Sequence, residues 1–491
     1  MIKSLLVWHR HFALLCVIPF VVWALSGLLH PAMSHFAKAE RLNTPFIKVP
    51  NHISAVAVPL KSVLVAHNIT AFSHARVIEY NAAYYYQVAV AHAPLPHIYY
   101  FSVKTGLINS ALNDERYALY LAQSWAEQAI LDTELINEFS PEYAEINRIL
   151  PVHRVTLQNQ NRLYVDTLSS RIAAHNTPLR ESLSYWFKQL HTFEFIGERH
   201  SLWRITPMLA ISLLVFGTGV FGLVSYALLW RRLKSKRVNT PVLHRSLGVV
   251  LSVCMLGFAS SSIHILVDKF FPETFRALSP GNAIFTDLLN HDPLKDVFDS
   301  NGDNFQLVAV GEQVVTQVAK QAYSRKRPIV DFSYWQNSAV NITSVDVALA
   351  QLQRQLNVSG TVLNWQKIDK FGQTYGFINK RLPVIQMRFV NAPDVIYSVE
   401  PHTGFIANIE TNWQSARSWH FGYLHKYHFL NPLGREVRDA IVTGIIIGLV
   451  LTALFGVRLY IGRRRRKKSA IVRRGVLSSG RDVESHSLKN Y

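Results

Sequence analysis

"HRHFALLCVIPFVVWALSGLLH" (His9–His30) is the stretch on which the fold turns. Its end histidines stand 21 residues apart, about 31 Å along a helix at ~1.5 Å per residue. That matches the ~30 Å hydrocarbon thickness of a bilayer. One apolar helix therefore carries an imidazole near either face of a membrane, where a greasy segment has no need of one.

Working outward, three further runs are long enough to span: Ile205 to Trp230, Ser246 to Val267, and Ala440 to Ile461. Trp8, Trp203 and Trp230 stand at their edges, where amphipathic rings prefer to lie. The 491-residue chain is 49% hydrophobic with a formal charge of +19, too long and too apolar for one ordinary soluble domain. Much of the positive excess sits in "RRLKSKR" (Arg231–Arg237) and "RRRRKK" (Arg463–Lys468), each directly after an apolar run. That is the positive-inside pattern of cytoplasmic loops, and it argues against nucleic-acid binding. Cys16 and Cys254 both lie inside apolar runs, so neither a disulfide framework nor a thiolate metal site is indicated. A signal peptide is the competing account of the first run, disfavoured because the segment has a counterpart deep in the chain.

These signals predict a membrane α-helical bundle with two large α+β loops. Residues 1–33 form transmembrane helix 1, 34–202 the first loop, 203–231 helix 2, and 232–243 a basic cytoplasmic loop. Residues 244–268 form helix 3, 269–435 the second loop, 436–462 helix 4, and 463–491 a basic, disordered cytoplasmic tail. Both termini are then cytoplasmic, and both loops lie on the other side, the periplasm of a bacterial inner membrane.

The halves repeat with an offset of 234 residues. His30 maps onto His264, His191 onto His425, Phe195 onto Phe429, and Tyr226 onto Tyr460. "HRHFA" (His9–Ala13) answers "HRSLG" (His244–Gly248) after a one-residue slip, and "LHTFEF" (Leu190–Phe195) answers "LHKYHF" (Leu424–Phe429). The repeat predicts a bundle with a pseudo-twofold axis along the membrane normal. In the loops, "NAAYYYQVAVA" and "HIYYFSVKTGLI" alternate as hairpin strands do, and "PVIQMRFVNAPDVIYSVEPHTGFIAN" has the same layout with a Thr-Gly turn. Helical segments, "SAVAVPLKSVLVAHN" and "SVDVALAQLQRQLN", precede them. "RLYVDTLSSRIAA" looks like the end of a second, degenerate copy of this layout, and "FQLVAVGEQVVTQVAKQAY" like the start of another in the second loop.

A helix followed by a hairpin that ends in an aromatic-rich strand and a Thr-Gly turn resembles the PepSY domain. "HR" opening an apolar helix that closes on "SG", a PepSY-like loop, then "LH" before a second helix is similar to the PepSY-associated transmembrane family. The resemblance covers the chain to about Gly462 and implies an iron-regulated inner-membrane protein. Its better-understood members are ferric-siderophore reductases carrying b-type haem. Some relatives are fused to flavin reductase modules; this sequence has none, so the electron donor is expected to be a quinol or a cytoplasmic reductase.

Six histidines are the candidate haem ligands: His9, His30, His191, His244, His264 and His425. They form three pseudo-symmetric pairs at membrane boundaries, and bis-histidine ligation between facing helices is how a bundle holds haem b without covalent attachment. One haem or more is expected, with two the expected number. No C-x-x-C-H occurs, which excludes c-type attachment. At ~100° per residue His244 and His264 point to nearly opposite sides of their helix, whereas His9 and His30 are about 60° apart. His11, His35, His200, His420 and His428 read as interfacial or surface residues, with His428 a possible substitute for His425. Arg10 and Arg245 suit lipid phosphates or haem propionates. "GTGVFG" (Gly217–Gly222) fits a dinucleotide fingerprint in letters only, since it lies inside an apolar helix; small residues there allow close packing.

The expected function is reduction of a ferric siderophore or other ferric chelate at the periplasmic face. The alternative is a membrane-anchored PepSY protein that binds or regulates without redox chemistry. A transporter is less favoured, because no midplane charge or obvious unwound segment is present.

Overall fold

The computed structural model describes the chain except for residues 1, 41, 43, 45–46, 91–95, 141, 145–146, 231–238, 272–282, 325–326, 373–374, 377–378, 380 and 488–491. The basic block Arg231–Arg237 lies outside the described residues.

Helices α1 (Ile2–Gly27) and α2 (Leu29–Phe36) come first, then α3 (Leu60–Ala66) and strands β1 (Ala71–Phe72), β2 (His74–Tyr80), β3 (Ala83–Val90) and β4 (His97–Ser102). Next come α4 (Asp114–Trp125), β5 (Ile130–Ile136), β6 (Val152–Leu157), β7 (Arg162–Asp166) and β8 (Arg171–Asn176), followed by α5 (Pro178–Thr192) and α6 (Leu202–Leu229). The second half starts with α7 (Thr240–Asp268), β9 (Ile284–Phe285), α8 (Pro293–Asp299), β10 (Asn304–Val310), β11 (Gln313–Ser324) and β12 (Arg327–Trp335). It closes with α9 (Ser344–Leu356), β13 (Val362–Ile368), β14 (Val384–Phe389), β15 (Ala392–Glu400), β16 (Phe405–Thr411), α10 (Asn412–His420) and α11 (Arg435–Ser487).

The chain divides into two compact units. The first comprises Met1–Phe36, Ser182–Pro272 and Arg417–Tyr491 and is helical. Four of its helices are long and apolar enough to cross a membrane: Ser4–Phe36, Leu202–Leu229, Thr240–Asp268 and Arg435–Arg466. Their outward faces stay apolar, with Ile18 75% and Val250 71% exposed, which suits lipid and not water. Cys16, Val215 and Ala259 pack between α1, α6 and α7.

Pro31 breaks the first span. It lacks the N–H that would bond the Gly27 carbonyl, and α1 stops at Gly27 before α2 begins at Leu29. At the other end, α11 continues to Ser487, where the sequence predicts a disordered tail. The segment has no proline and many arginines and lysines, good helix formers that extend a helix already nucleated by the preceding span.

The second unit, Ala37–Glu181 with Glu273–Ala416, is α+β. Three-stranded antiparallel sheets (β2-β3-β4 and β10-β11-β12) alternate along the chain with four-stranded ones (β5-β6-β7-β8 and β13-β14-β15-β16). The predicted strands "NAAYYYQVAVA" and "HIYYFSVKTGLI" pair as β3 and β4, and the second-loop stretch forms β14, β15 and β16. The two Thr-Gly turns share one left-handed conformation, with φ +70° at Gly106 and +68° at Gly404, which favours glycine. α9 starts on a capping box between Thr343 and Asp346 and buries Val347, Ala348 and Leu352 against the sheets. The segment ahead of the first strands is less helical than predicted: a 3-10 turn covers Asn51–Ala55, and α3 runs only from Leu60 to Ala66 behind the non-helical Pro59.

Candidate functional site

The helical unit brings six of its histidines into facing pairs. His9 of α1 and His244 of α7 have ring centres 6.4 Å apart. His9 Nδ1 donates to the Thr218 carbonyl of α6 at 2.9 Å, and His244 Nδ1 to the Thr452 carbonyl of α11 at 3.0 Å. A carbonyl only accepts, so each Nδ1 carries the proton and each Nε2 keeps its lone pair. Thr218 and Thr452 stand 234 residues apart. Gly222 and Gly456 share that spacing. A Cβ on either would come within 3.1 Å of the Cε1 of His9 or His244 respectively, so both glycines let an imidazole lie against its neighbouring helix.

Both rings line a cavity of about 400 Å³, walled also by Phe20, Tyr226, Met255 and Tyr460, with Arg10, Arg245 and Arg463 contributing charge. The other glycines of "GTGVFG" serve close packing: a Cβ on Gly217 would strike the Phe12 ring at 2.6 Å, and one on Gly219 would strike Met255 and Leu256 at 2.9 Å.

The second pair lies at the far ends of the same helices. His191, at the end of α5, meets His425, in a π-helical turn (Phe421–His425), with ring centres 6.2 Å apart and planes at 83°. His191 Nδ1 donates to the Trp23 carbonyl at 3.1 Å, beside the Ser26 hydroxyl at 3.2 Å. The Ser261 hydroxyl donates to the Phe258 carbonyl at 2.8 Å, so it accepts from His425 Nδ1 at 3.0 Å. These two imidazoles take the tautomer of the first pair. Burial keeps both neutral, lowering His191 to about 4 and His425, which also feels His191 and Lys426, to about 3. Trp23 Nε1 returns a bond to the His191 carbonyl at 2.5 Å and stacks on Phe193, fixing the turn that carries the imidazole.

Imidazole nitrogens bind metals at about 2 Å, so two rings sharing one ion stand about 6 Å apart, centre to centre. Both pairs have that separation, and all four Nε2 lone pairs have the right tautomer. No family model and no curated protein matches this chain. The site therefore rests on its own geometry. Among the described residues no group of three or more His, Cys, Asp or Glu side chains is placed to hold a bare metal ion. Seventeen residues separate His9 from Ser26, and the same number His244 from Ser261, about 26 Å of helix.

The remaining expected ligands go elsewhere. His30, beyond the break at Gly27, is exposed and packs on the edge of Phe187 at 6.2 Å. His264 lies on the unbroken α7 and meets His420, with Nδ1 atoms 3.2 Å apart. The break explains why the two 234-spaced residues do not share surroundings. The opposed directions of His244 and His264 on α7 match their separate partners: one faces His9 and the other His420.

His420 was not legible as a site residue. Its Nε2 lies 3.1 Å from Ser260 Oγ, so adjacent serines of α7 receive two different imidazoles. The pattern "SSS" (Ser260–Ser262) inside an apolar helix was the available signal. His35 pairs with Asp439 at 3.3 Å, and His11 is exposed.

Proposed function

We propose that this chain is a haem b-containing electron-transfer protein of a bacterial inner membrane. In this proposal it reduces a ferric chelate, such as a ferric siderophore, on the periplasmic side. It is built as two copies of one unit, and its α+β segments are PepSY-like, as in the PepSY-associated transmembrane family. The observation that carries the reading is the set of four matching tautomers. His9 faces His244 and His191 faces His425, each with Nδ1 tied to a neighbouring helix and Nε2 left as a donor.

Haem would be held by His9 with His244 and by His191 with His425, which narrows the six expected ligands to four. When bound, it supplies a one-electron carrier in each half of the membrane. The protein's own work is orientation. The Thr218 and Thr452 carbonyls, Ser26 and Ser261 hold the imidazoles and raise their donor strength. Gly222 and Gly456 make room for the rings, and the cavity they face is walled mostly by apolar side chains. At the outer face, reduction weakens the grip of hard oxygen ligands on the iron of the chelate.

The absorption spectrum of the detergent-purified protein tests this reading. A Soret band with α/β bands that sharpen on dithionite reduction, and haem extractable by acidic acetone, is expected. A colourless protein from haem-replete cells overturns it and leaves an anchored PepSY binding protein.

A further inference from the structure

The two outer histidines are followed by different residues. Thr192 follows His191, and Lys426 follows His425, 234 positions on. Thr192 is satisfied within its own segment: its hydroxyl donates to the Lys188 carbonyl at 2.8 Å, and its carbonyl accepts from Arg204 Nε at 2.6 Å. Lys426 has no such arrangement. Its half-buried ammonium lies over the Phe421 ring, 4.8 Å from the centroid, and among the described residues it has no hydrogen-bond acceptor and no carboxylate.

Two more cations act on it, Arg435 and Arg438. Asp439 is the carboxylate the group shares, 2.7 Å from Arg438 Nη2 and 3.8 Å from Arg435 Nε, and it also holds His35. Arg438 is further engaged by Asn431 at 2.7 Å and Arg435 by Ser34 at 2.6 Å. Lys426 is therefore the member without an anion, and its field reaches His30, His425 and His428. An ammonium withdrawn from water is costly unless an anion completes it.

We propose that Lys426, flanked by Arg435 and Arg438, is an anion-binding site beside the His191–His425 pair that takes carboxylate or other oxygen-anion groups. It rests on the proposed function only for the source of the anion. Two sources carry that chemistry there: an acidic ferric chelate arriving from outside, and the propionates of a haem held by the outer pair.

Full-length protein in a phosphate-free maltoside detergent separates them by calorimetry. The probes are gallium(III)–EDTA, a redox-inert monoanion, and uncharged gallium(III) tris-acetohydroxamate. For the chelate source, Lys426→Met weakens gallium–EDTA binding roughly tenfold or more and leaves the uncharged complex unaffected. Lys426→Arg restores binding, and added salt erodes the difference. For the propionate source, chelate binding is unchanged, but Lys426→Met lowers the midpoint potential of one haem and speeds its transfer to apomyoglobin.

Equal weakening of both gallium complexes without rescue by arginine overturns the proposal. So does a Lys426→Met protein unchanged in chelate binding, haem potential and haem transfer. Protein that binds gallium–EDTA through Lys426 yet shows no Soret band keeps the site and rejects the electron-transfer reading.

Discussion

Histidines are buried in both units, and the two units use them differently. In the α+β unit His153, His291 and His402 are each engaged by a neighbour of another kind. His153 Nε2 lies 2.9 Å from Asp114, His291 Nε2 is 2.8 Å from the Thr316 hydroxyl, and His402 lies flat on Phe332 with Nδ1 3.3 Å from Gln317. In the helical unit, imidazoles face imidazoles, and Nδ1 is the atom tied down. Burial alone is therefore no sign of a ligand. What distinguishes the helical pairs is a second ring at metal-sharing distance together with an Nδ1 bonded to a neighbouring helix.

The largest expected effect is loss of cofactor. His9→Ala or His244→Ala should abolish the haem signal of that pair, about half of the total if both pairs are loaded, because alanine offers no lone pair. His153→Asn should keep the full spectrum and instead lower stability by about 1–3 kcal/mol, the cost of an unsatisfied buried group. A spectrum that falls equally in both variants breaks the contrast.

Acid sharpens it next. Burial lowers His74 to about 3 and His402 to about 4, against about 6.5 in an unfolded chain. Above pH 6.5 both states are neutral and nothing is lost. As pH falls below 6.5 the unfolded state takes up protons first, so stability should drop by up to about 1.4 kcal/mol per pH unit for each histidine until its folded value is reached. Thermal melts between pH 7 and 4 should show this slope, and His74→Gln with His402→Gln should flatten it.

Smaller still is the effect of the orienting hydroxyls. Ser261→Ala removes the group that accepts from His425 Nδ1 and should weaken haem binding at the outer pair roughly tenfold, read by transfer to apomyoglobin. Ser260→Ala, one residue away but bonded to His420, should leave that rate unchanged. At the bottom of the scale, exposed His11→Ala should alter neither spectrum nor stability measurably.

Local pattern made much of this legible. Apolar runs of spanning length located the four helices, and alternation with Thr-Gly turns located β3–β4 and β14–β16, because both signals are written within about 20 consecutive residues. Pro31 was visible, but its consequence depended on which carbonyl lost its partner, and that separated His30 from His264. The acceptors for His9 and His244 could not be read at all. They are backbone carbonyls of α6 and α11, more than 200 positions away, and any residue has a carbonyl. His420 reads from the sequence as a surface residue flanking the membrane boundary, and the repeat offers no help, since Trp186 stands 234 positions before it. The tail was read as disordered from its polarity, which says little about whether an established helix stops.

The 17-residue interval from His9 to Ser26, repeated from His244 to Ser261, has an electrical meaning. Its ~26 Å of helix covers most of the ~30 Å insulating layer. Under the proposed topology, an electron passing from the inner pair to the outer one moves a full negative charge across nearly the whole membrane field. A cell that keeps its interior negative assists that step by about 2.3 kcal/mol per 100 mV, scaled by the fraction of the field crossed. Chelate reduction would then be electrogenic, slowing when an ionophore collapses the potential even though every donor and acceptor remains in place.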